Sequence, residues 1–235
     1  APSTRLLPHP ALPHTQPPLP VELAVSTRFT TADLARPVSP MHLLGGGGLT
    51  AALSAAGTGV VTSGGSDLTR WRADRVEDAD GLALFLRDLD TGHVWTAEWR
   101  PGDEAYEARF GVGTVEIIRQ DAGVETRLCL AVAPAGALVG RLQLRSLDGR
   151  ARRIEVTTLA EVVLHDRAAD ASHPAFSKLF VQTERLDGRP VLLAKRRPRT
   201  PEDPSVWLGY WLDDAAAAVS WETDRLRCVG RGRRR

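Results

Sequence analysis

The residues of this 235-residue chain that are best suited to acid–base chemistry lie between positions 161 and 184. Carboxylates serve as general acids and bases, and imidazoles can join them as proton carriers or metal ligands. Six such side chains fall in this stretch: Glu161, His165, Asp166, Asp170, His173 and Glu184. Their separations are typical of a loop and do not match a fixed ligand pattern. We therefore predict no metal site.

Structural roles compete with chemical ones in the same stretch. Glu161 falls on the polar side of an alternating segment, which predicts a solvated or ion-paired carboxylate. The dipeptide His173-Pro174 favours a turn in which His173 is hydrogen-bonded to the backbone. That turn is expected to deliver Phe176, Leu179 and Phe180 into the core.

Positive side chains gather near the same stretch and at the end of the sequence. A guanidinium binds oxyanions in a bidentate manner, so an anion or sugar cleft is one use for such groups, and ion pairs with neighbours such as Glu202 and Asp203 are another. The net charge of +1 and the absence of a stacking platform or recognition helix beside these cations argue against nucleic acid. The cations are Lys178, Arg196, Arg197, Arg199, Arg231, Arg233, Arg234 and Arg235.

Six tryptophans make an aromatic set that could pack in a core or bind sugar rings. Trp207 and Trp211 crowd one segment with Tyr210, and alternation places the two tryptophans on one face and Tyr210 on the other. One face is expected to pack inward. The other is left for a glycan or a partner domain. The remaining members are Trp71, Trp95, Trp99 and Trp221.

The elements that must position these residues are β-strands. Apolar residues recur with a period of two over 125–132, 138–145 and 154–162, which predicts strands with one wet face and one buried face. Turn chemistry separates the runs at 90–92, 101–102, 121–123, 134–136, 148–149 and 187–188. We predict many antiparallel strands in packed sheets and no uninterrupted helix. The glycine run 45–48 predicts a turn, because no βαβ pattern surrounds it.

Composition predicts one large globular domain, since 43% of the residues are hydrophobic and 25% are charged. Residues 1–20 hold seven prolines and predict a linker or arm. A sandwich domain is expected over 21–229, followed by a basic lead over 230–235. Cys129 and Cys228 are expected to be free thiols. No apolar run is long enough for a membrane span, so a soluble domain is expected.

Several segments, taken in order, resemble the N-terminal sandwich domain of glycoside phosphorylases, and most closely the phosphorylase-like region of cyclic β-1,2-glucan synthases. Cellobiose and chitobiose phosphorylases are more distant relatives. The resemblance covers roughly Met41 to Arg233. The chain departs from the family pattern at Gly45–Gly48 and at Val60-Val61. The segments that carry the likeness are 68–72, 86–88, 91–95, 161–164, 169–180, 192–199, 222–225 and 230–233.

The resemblance implies an all-β antiparallel super-sandwich of galactose-mutarotase-like fold. In the family the catalytic aspartate lies in a following helical barrel domain, so no catalytic residue is assigned in this chain. No cofactor is implied, and inorganic phosphate is the co-substrate of the parent enzyme. The implied partners are a β-linked glucan or glucoside, the downstream catalytic domain and a second copy of the chain. Candidates for the substrate or phosphate cleft are His173, Lys178, Arg196, Arg197, Arg231 and Arg233, and those for sugar stacking or an interface are Trp207 and Trp211.

The resemblance also implies a cytoplasmic location, with a parent that could be attached to the inner membrane. The implied reaction is reversible phosphorolysis of a β-linked glucoside or chain-length control of a β-1,2-glucan. Two other functions remain open. One is a free-standing carbohydrate-binding sandwich module, and the other is a dimerisation domain whose exposed tryptophan face meets a partner.

Overall fold

A computed structural model of the chain describes residues 26–35, 39–72, 81–186, 189–198, 200, 205–212, 219–224 and 227–228. Its regular structure is mainly β-strand, as the period of two predicts. The predicted arm at 1–20, the basic lead at 230–235 and the turn at 187–188 lie outside the described residues. The first eight strands are β1 (Ser26–Thr30), β2 (Met41–Gly46), β3 (Leu49–Ser54), β4 (Gly59–Ser63), β5 (Ser66–Thr69), β6 (Leu82–Asp88), β7 (Val94–Thr96) and β8 (Tyr106–Gly111).

The second half of the chain adds further strands and two of the three short helices found among the described residues. Helix α1 (Thr31–Leu34) follows β1, while α2 (Arg167–Ser172) and α3 (Pro174–Lys178) lie between β13 and β14. The strands are β9 (Thr114–Asp121), β10 (Val124–Ala133), β11 (Ala137–Ser146), β12 (Ile154–Ala160), β13 (Val162–His165), β14 (Val181–Arg185), β15 (Val191–Arg196) and β16 (Trp207–Trp211).

Within the described residues the strands form four antiparallel sheets. Two have five strands, in the orders β1-β8-β9-β10-β11 and β13-β5-β4-β3-β2. Two have three strands, in the orders β12-β6-β7 and β14-β15-β16. Strands β10 and β11 lie against β2 and β3, so the two five-stranded sheets face each other as a sandwich. This confirms the predicted all-β antiparallel architecture.

The core is made by the inward positions of both large sheets and of β6 and β7. Leu53, Leu86 and Ile117 are completely buried, and Leu128 of β10 joins the same cluster. Along β10 the residues alternate between buried and partly exposed, as the sequence pattern predicts. Each buried leucine or isoleucine contributes about 1.5–3 kcal/mol of hydrophobic stabilisation relative to an exposed one.

Tight turns lie at the predicted glycines, where Gly92, Gly123 and Gly136 close hairpins and Gly102 and Gly149 join strands of different sheets. Gly92, Gly102, Gly123, Gly136 and Gly149 all have positive φ angles, as turns of this kind require.

The glycine run at 45–48 also behaves as predicted, with a division between strand and turn. Gly45 and Gly46 end β2, while Gly47 and Gly48 form the turn with φ of 56° and 79°. A Cβ on Gly47 would lie 2.3 Å from the backbone nitrogen of Gly136. The β2–β3 and β10–β11 turns therefore pack backbone to backbone.

The segment from Pro174 to Phe180 corrects one prediction. Phe176 is 51% exposed and Leu179 is 70% exposed, and Phe180 is only partly buried, so the turn does not deliver these three side chains into the core. The physical reason is that the segment forms the one-and-a-half turns of α3, whose period differs from that of an extended loop. This period points Ser177, which is 3% exposed, toward the interior instead.

Glu161 corrects a second prediction in part. The alternation of polar and apolar residues does not continue through Glu161, because β12 ends at Ala160. The chain then passes to another sheet as β13. Glu161 lies at this crossing, where its N–H donates to the carbonyl of Gly81 and its carbonyl accepts from Arg70. Its side chain is 5% exposed, so it is ion-paired, as one alternative predicted, but not solvated.

Candidate functional site

The family-like segment 169–180 is built on two consecutive short helices. Asp166 caps α2 by accepting a hydrogen bond of 3.0 Å from the N–H of Ala169. Pro174 stands in the first turn of α3, where its missing N–H costs nothing. His173 separates the two helices, is exposed, and accepts from the N–H of Ser177 through its carbonyl at 2.9 Å. The backbone of this loop is thus fixed by local hydrogen bonds.

A buried charge cluster attaches this loop to the sheets. We give that name to Arg70, Glu161, Asp170 and Lys178. The Nε and Nη2 atoms of Arg70 donate to the two carboxylate oxygens of Asp170, both at 2.7 Å. Nη1 of Arg70 lies 3.5 Å from Oε1 of Glu161, and the same oxygen pairs with the Lys178 ammonium. Two positive and two negative side chains therefore balance one another.

Burial makes these pairs important for stability. The side chains of Arg70, Glu161 and Asp170 are 6%, 5% and 7% exposed. Burial raises the pKa of Asp170, but hydrogen bonds from Arg70 and Ser177 outweigh it, so the pKa lies below its ordinary value. A buried charge that loses its partner costs several kcal/mol, about 3–5 in measured cases.

The arrangement is unsuited to proton donation. A general acid at neutral pH needs a raised pKa, and Asp170 has a lowered one. Glu161 is buried between two cations, and Asp166 is engaged as a helix cap. Glu184 is an exposed residue of β14. Each carboxylate that the sequence singled out thus has a structural role or an open surface position.

The predicted cleft cations divide between the interior and the surface. Arg196 is 8% exposed, and its Nη1 donates to the carbonyls of Ser177 at 3.1 Å and Val163 at 3.4 Å. Its guanidinium lies 5.2 Å from the ring centroid of Phe180, and that of Arg197 lies 5.3 Å from the same ring. Arg196 thus fastens α3 to β13, while Arg197 is exposed. Glu202, Asp203, Arg231 and Arg233 lie outside the described residues.

The second candidate site is the outer surface of sheet β14-β15-β16. Two rows of cross-strand partners run across β16, β15 and β14. The first row is Trp207, Lys195 and Gln182, and the second is Gly209, Leu193 and Glu184. Cross-strand partners project to the same side of a sheet, so these side chains share one face with Trp211. We call this surface the tryptophan face. The opposite side carries Ala194 and Leu208, which pack against the core.

Both tryptophans of this face are accessible. Trp207 is 45% exposed and Trp211 is 42% exposed, while burial raises the pKa of Tyr210 on the opposite side. This is the division that alternation predicts. The Nε1 of Trp207 donates to Oγ of Ser205 at 3.1 Å, and the Lys195 ammonium lies 5.0 Å from the Trp207 ring centroid. The Trp207 ring is therefore held in place at the surface.

Other tryptophans behave as packing residues. Trp95 is 4% exposed and donates to Oγ1 of Thr126, and Trp71 donates to Oγ1 of Thr58. Trp99 packs against the core.

Sequence reasoning missed two residues of these sites. The sequence predicts no role for Arg70 beyond its place in the family-like segment 68–72. Its partner Asp170 lies 100 positions away in the sequence, so no local pattern connects the two residues. The sequence likewise predicts no role for Lys195, which lies in the family-like segment 192–199. Its position one residue from Arg196 on a strand was the available signal, because neighbours on a strand face opposite sides.

Comparison with known proteins decides the family. A model described as glycosyl hydrolase 94, supersandwich domain, matches residues 25–235. The chain belongs to this family. A relative of this glycosyl hydrolase 94 chain is the cyclic beta-(1,2)-glucan synthase NdvB of Rhizobium meliloti (strain 1021), 37% identical over 199 residues. The match covers 81% of this chain but only 7% of the relative's length.

The family assignment confirms the resemblance and the super-sandwich fold that it implied. No helix in the described part of the glycosyl hydrolase 94 chain is long and apolar enough to cross a membrane. Nor do three or more His, Cys, Asp or Glu side chains gather as potential metal ligands among these residues.

Proposed function

We propose that this chain is the non-catalytic N-terminal sandwich domain of a carbohydrate-active glycoside phosphorylase or cyclic β-glucan synthase. In that enzyme it supports a catalytic helical barrel and contributes to dimerisation. The reaction is reversible phosphorolysis or transfer of β-glucosides, with inorganic phosphate as co-substrate and no other cofactor. The compartment is the cytoplasm, where the whole enzyme can be attached to the inner membrane.

The observation that supports the proposal is that Glu161 and Asp170, the buried carboxylates of the family-like segments, form ion pairs that stabilise the fold. Cleavage of a glycosidic bond needs a carboxylic acid at the leaving oxygen, and a phosphorolytic enzyme can replace the second carboxylate by phosphate. Asp170 has a lowered pKa in its bidentate pair with Arg70, and Glu161 is buried between cations. An acid supplied by another domain fits this arrangement better than one supplied here.

The size of the relative supports the same division of labour. The chain spans 7% of the length of a protein named as a cyclic glucan synthase. A segment of that size with its own two-sheet core is expected to fold as one unit and to act as a support. The exposed pair Phe176 and Leu179, held by the buried charge cluster, offers apolar contact area for such a neighbour.

The test is the release of sugar 1-phosphate from β-linked glucosides, with both β-1,2- and β-1,4-linked glucose oligosaccharides, in phosphate buffer. It is run on this chain and on the longest protein that its gene encodes, with a phosphate-free buffer as the control for hydrolysis. We expect phosphate-dependent release from the longer protein and none from this chain. Release by this chain alone, or no release by the longer protein, would overturn the proposal.

A free-standing carbohydrate-binding module is a second candidate, and the exposure of Trp207 and Trp211 favours it. Such a module would bind glucan without any phosphorolysis in either protein. The same assay therefore separates the two functions.

A further inference from the structure

The tryptophan face exposes two large aromatic side chains in a fold that buries others. Trp207 and Trp211 are four residues apart on β16, so they project to the same side at a separation of about 13 Å along the strand. Each leaves more than two fifths of its surface accessible. Accessible tryptophans that share one side of a sheet are typical of a binding surface.

The ring of Trp211 lies over the middle of the strand. Gly209 lies midway between Trp207 and Trp211 on the same face. A Cβ there would meet atoms of Leu193 and of the Trp211 ring at 3.8–4.0 Å, which is ordinary van der Waals contact. The small residue therefore lets the Trp211 ring pack close to the strand.

Polar groups surround the Trp207 end of this face. A shallow depression lies there, lined by Gln182, Thr183, Glu184, Leu193, Lys195 and Trp207. Its lining offers amide, hydroxyl, carboxylate and ammonium groups that can donate to or accept from a ligand. Lys195 places its ammonium over the Trp207 ring in a cation–π contact, so one charged donor stands against the aromatic surface.

This combination fits a sugar better than a protein. The core of a protein interface is depleted of Lys and Glu, yet both stand within this face. A β-linked glucose unit carries its hydroxyls around the rim and presents C–H groups on its two flat sides, which match the negative face of an indole ring. The rim hydroxyls can reach the polar lining.

We propose that the tryptophan face is a non-catalytic binding subsite for a β-linked glucose oligosaccharide, with Trp207 and Trp211 stacking on separate glucose rings and Gly209 letting the Trp211 ring lie close to the strand. The choice of a β-glucan rests on the proposed function. The ligand must be an oligosaccharide, because stacking on two separate glucose rings needs at least two linked glucose units. Gln182, Glu184 and Lys195 bind its hydroxyls.

The test is isothermal titration calorimetry of this chain with a linear β-1,2-glucose oligosaccharide, and with an α-1,4-glucose oligosaccharide as the comparison. The expected result is binding of the β-linked sugar. Trp207→Ala and Trp211→Ala should each weaken it about tenfold, the loss expected for one stacked ring. Val112→Ala removes apolar surface from a residue that is 82% exposed and lies in the β8–β9 turn of another sheet, and it should leave affinity unchanged.

A third variant keeps both tryptophans. Gly209→Val puts a branched side chain against the Trp211 ring without a backbone clash, so it should displace the ring and weaken binding while the melting temperature stays near that of the parent chain. Absence of binding by the parent chain, or equal affinity in all variants, would overturn the inference. So would a change in self-association of Trp207→Ala, seen by light scattering, with sugar affinity intact, because the face would then be a protein interface. Failure of the proposed function appears separately, as absence of sugar 1-phosphate release.

Discussion

Arg70 links three parts of the chain that are far apart in sequence. Its backbone N–H donates to the carbonyl of Glu161, and its guanidinium donates to the carboxylate of Asp170. Nη2 also donates to the carbonyl of Pro174 at 3.4 Å. One side chain thereby ties the end of β5 to the crossing before β13 and to both α2 and α3. Removing Asp170 or Glu161 takes a counterion from Arg70, which stays charged and buried.

Asp170→Asn should lower the free energy of unfolding by about 3 kcal/mol, because Arg70 then loses its bidentate counterion in a buried site. The matched control is Arg167→Ala, which breaks an ion pair with Asp67 in which the arginine is 66% exposed. That change should cost less than about 1 kcal/mol. Urea unfolding at neutral pH measures both, and equal losses would contradict a special role for the buried pair.

The same variant reports on acid stability. Because the pKa of Asp170 is lowered in the folded chain, its contribution to stability is complete above the ordinary value of 3.8 and disappears as the pH falls through the folded value. The parent chain should therefore lose more stability in acid than Asp170→Asn does. If the free energy of unfolding fell equally steeply with pH in both proteins below pH 3.8, the Asp170 carboxylate would not be the source of the acid sensitivity.

The two tyrosines of the chain should ionise only when it unfolds. Burial raises the pKa of Tyr106 well above its ordinary value, with Glu98 adding to the effect, and burial also raises that of Tyr210. A raised pKa means that the protonated phenols stabilise the fold below about pH 10, and that this contribution is lost as the pH rises through the folded values. Tyrosinate absorbance and circular dichroism, recorded in one alkaline titration, should change together. Tyrosinate absorbance that rises near pH 10 in a folded chain would contradict this.

At the scale of elements, the β9–β10 hairpin places an alanine in a left-handed backbone conformation that alanine disfavours. Its two-residue turn is Ala122-Gly123, with φ of 46° and 77°, and both positions are of the kind that a type I′ turn requires. Alanine is disfavoured there, whereas asparagine tolerates the conformation. Ala122 is exposed, so a change does not disturb packing.

Ala122→Asn should raise the free energy of unfolding by about 0.5–1 kcal/mol, because it relieves the left-handed backbone at an exposed site. Gly123→Ala is the opposing variant. Its Cβ would lie 3.0 Å from atoms of Arg152 and Asp148 at a φ of 77°, so it should lower stability. Thermal unfolding of the two proteins gives the comparison, and stabilisation by both variants, or by neither, would count against the turn assignment.

Local features of the elements could be predicted from the sequence, and crossings between sheets could not. The β9–β10 and β10–β11 turns follow from short-range chemistry, since Gly123 and Gly136 mark them directly. Glu161 was assigned to a polar strand face because the end of β12 at Ala160 leaves no local signature. In α3, the short helix reversed the expected burial of Phe176 and Leu179, because a five-residue segment is too short for a helical period to show.

At the scale of the whole molecule, three of the family-like segments contribute to the buried charge cluster and a fourth, 192–199, contributes to the tryptophan face. Segment 169–180 and Arg70 build the buried charge cluster, while Lys195 and β16 build the tryptophan face. The family and the all-β architecture were predictable because they rest on many segments in a fixed order. Pairings such as Arg70 with Asp170 depend on packing between sheets, so only the folded chain reveals them.

The central claim is that the buried charge cluster supports the fold and that catalysis is carried by another domain. The most direct measurement is the turnover of sugar 1-phosphate release per folded molecule in the longest protein that the gene encodes, with Asp170→Asn and Glu161→Gln compared with the parent. We expect lower melting temperatures and unchanged turnover below the melting transition. Loss of turnover with an unchanged melting temperature in either variant would contradict it, because that carboxylate would then act in the reaction.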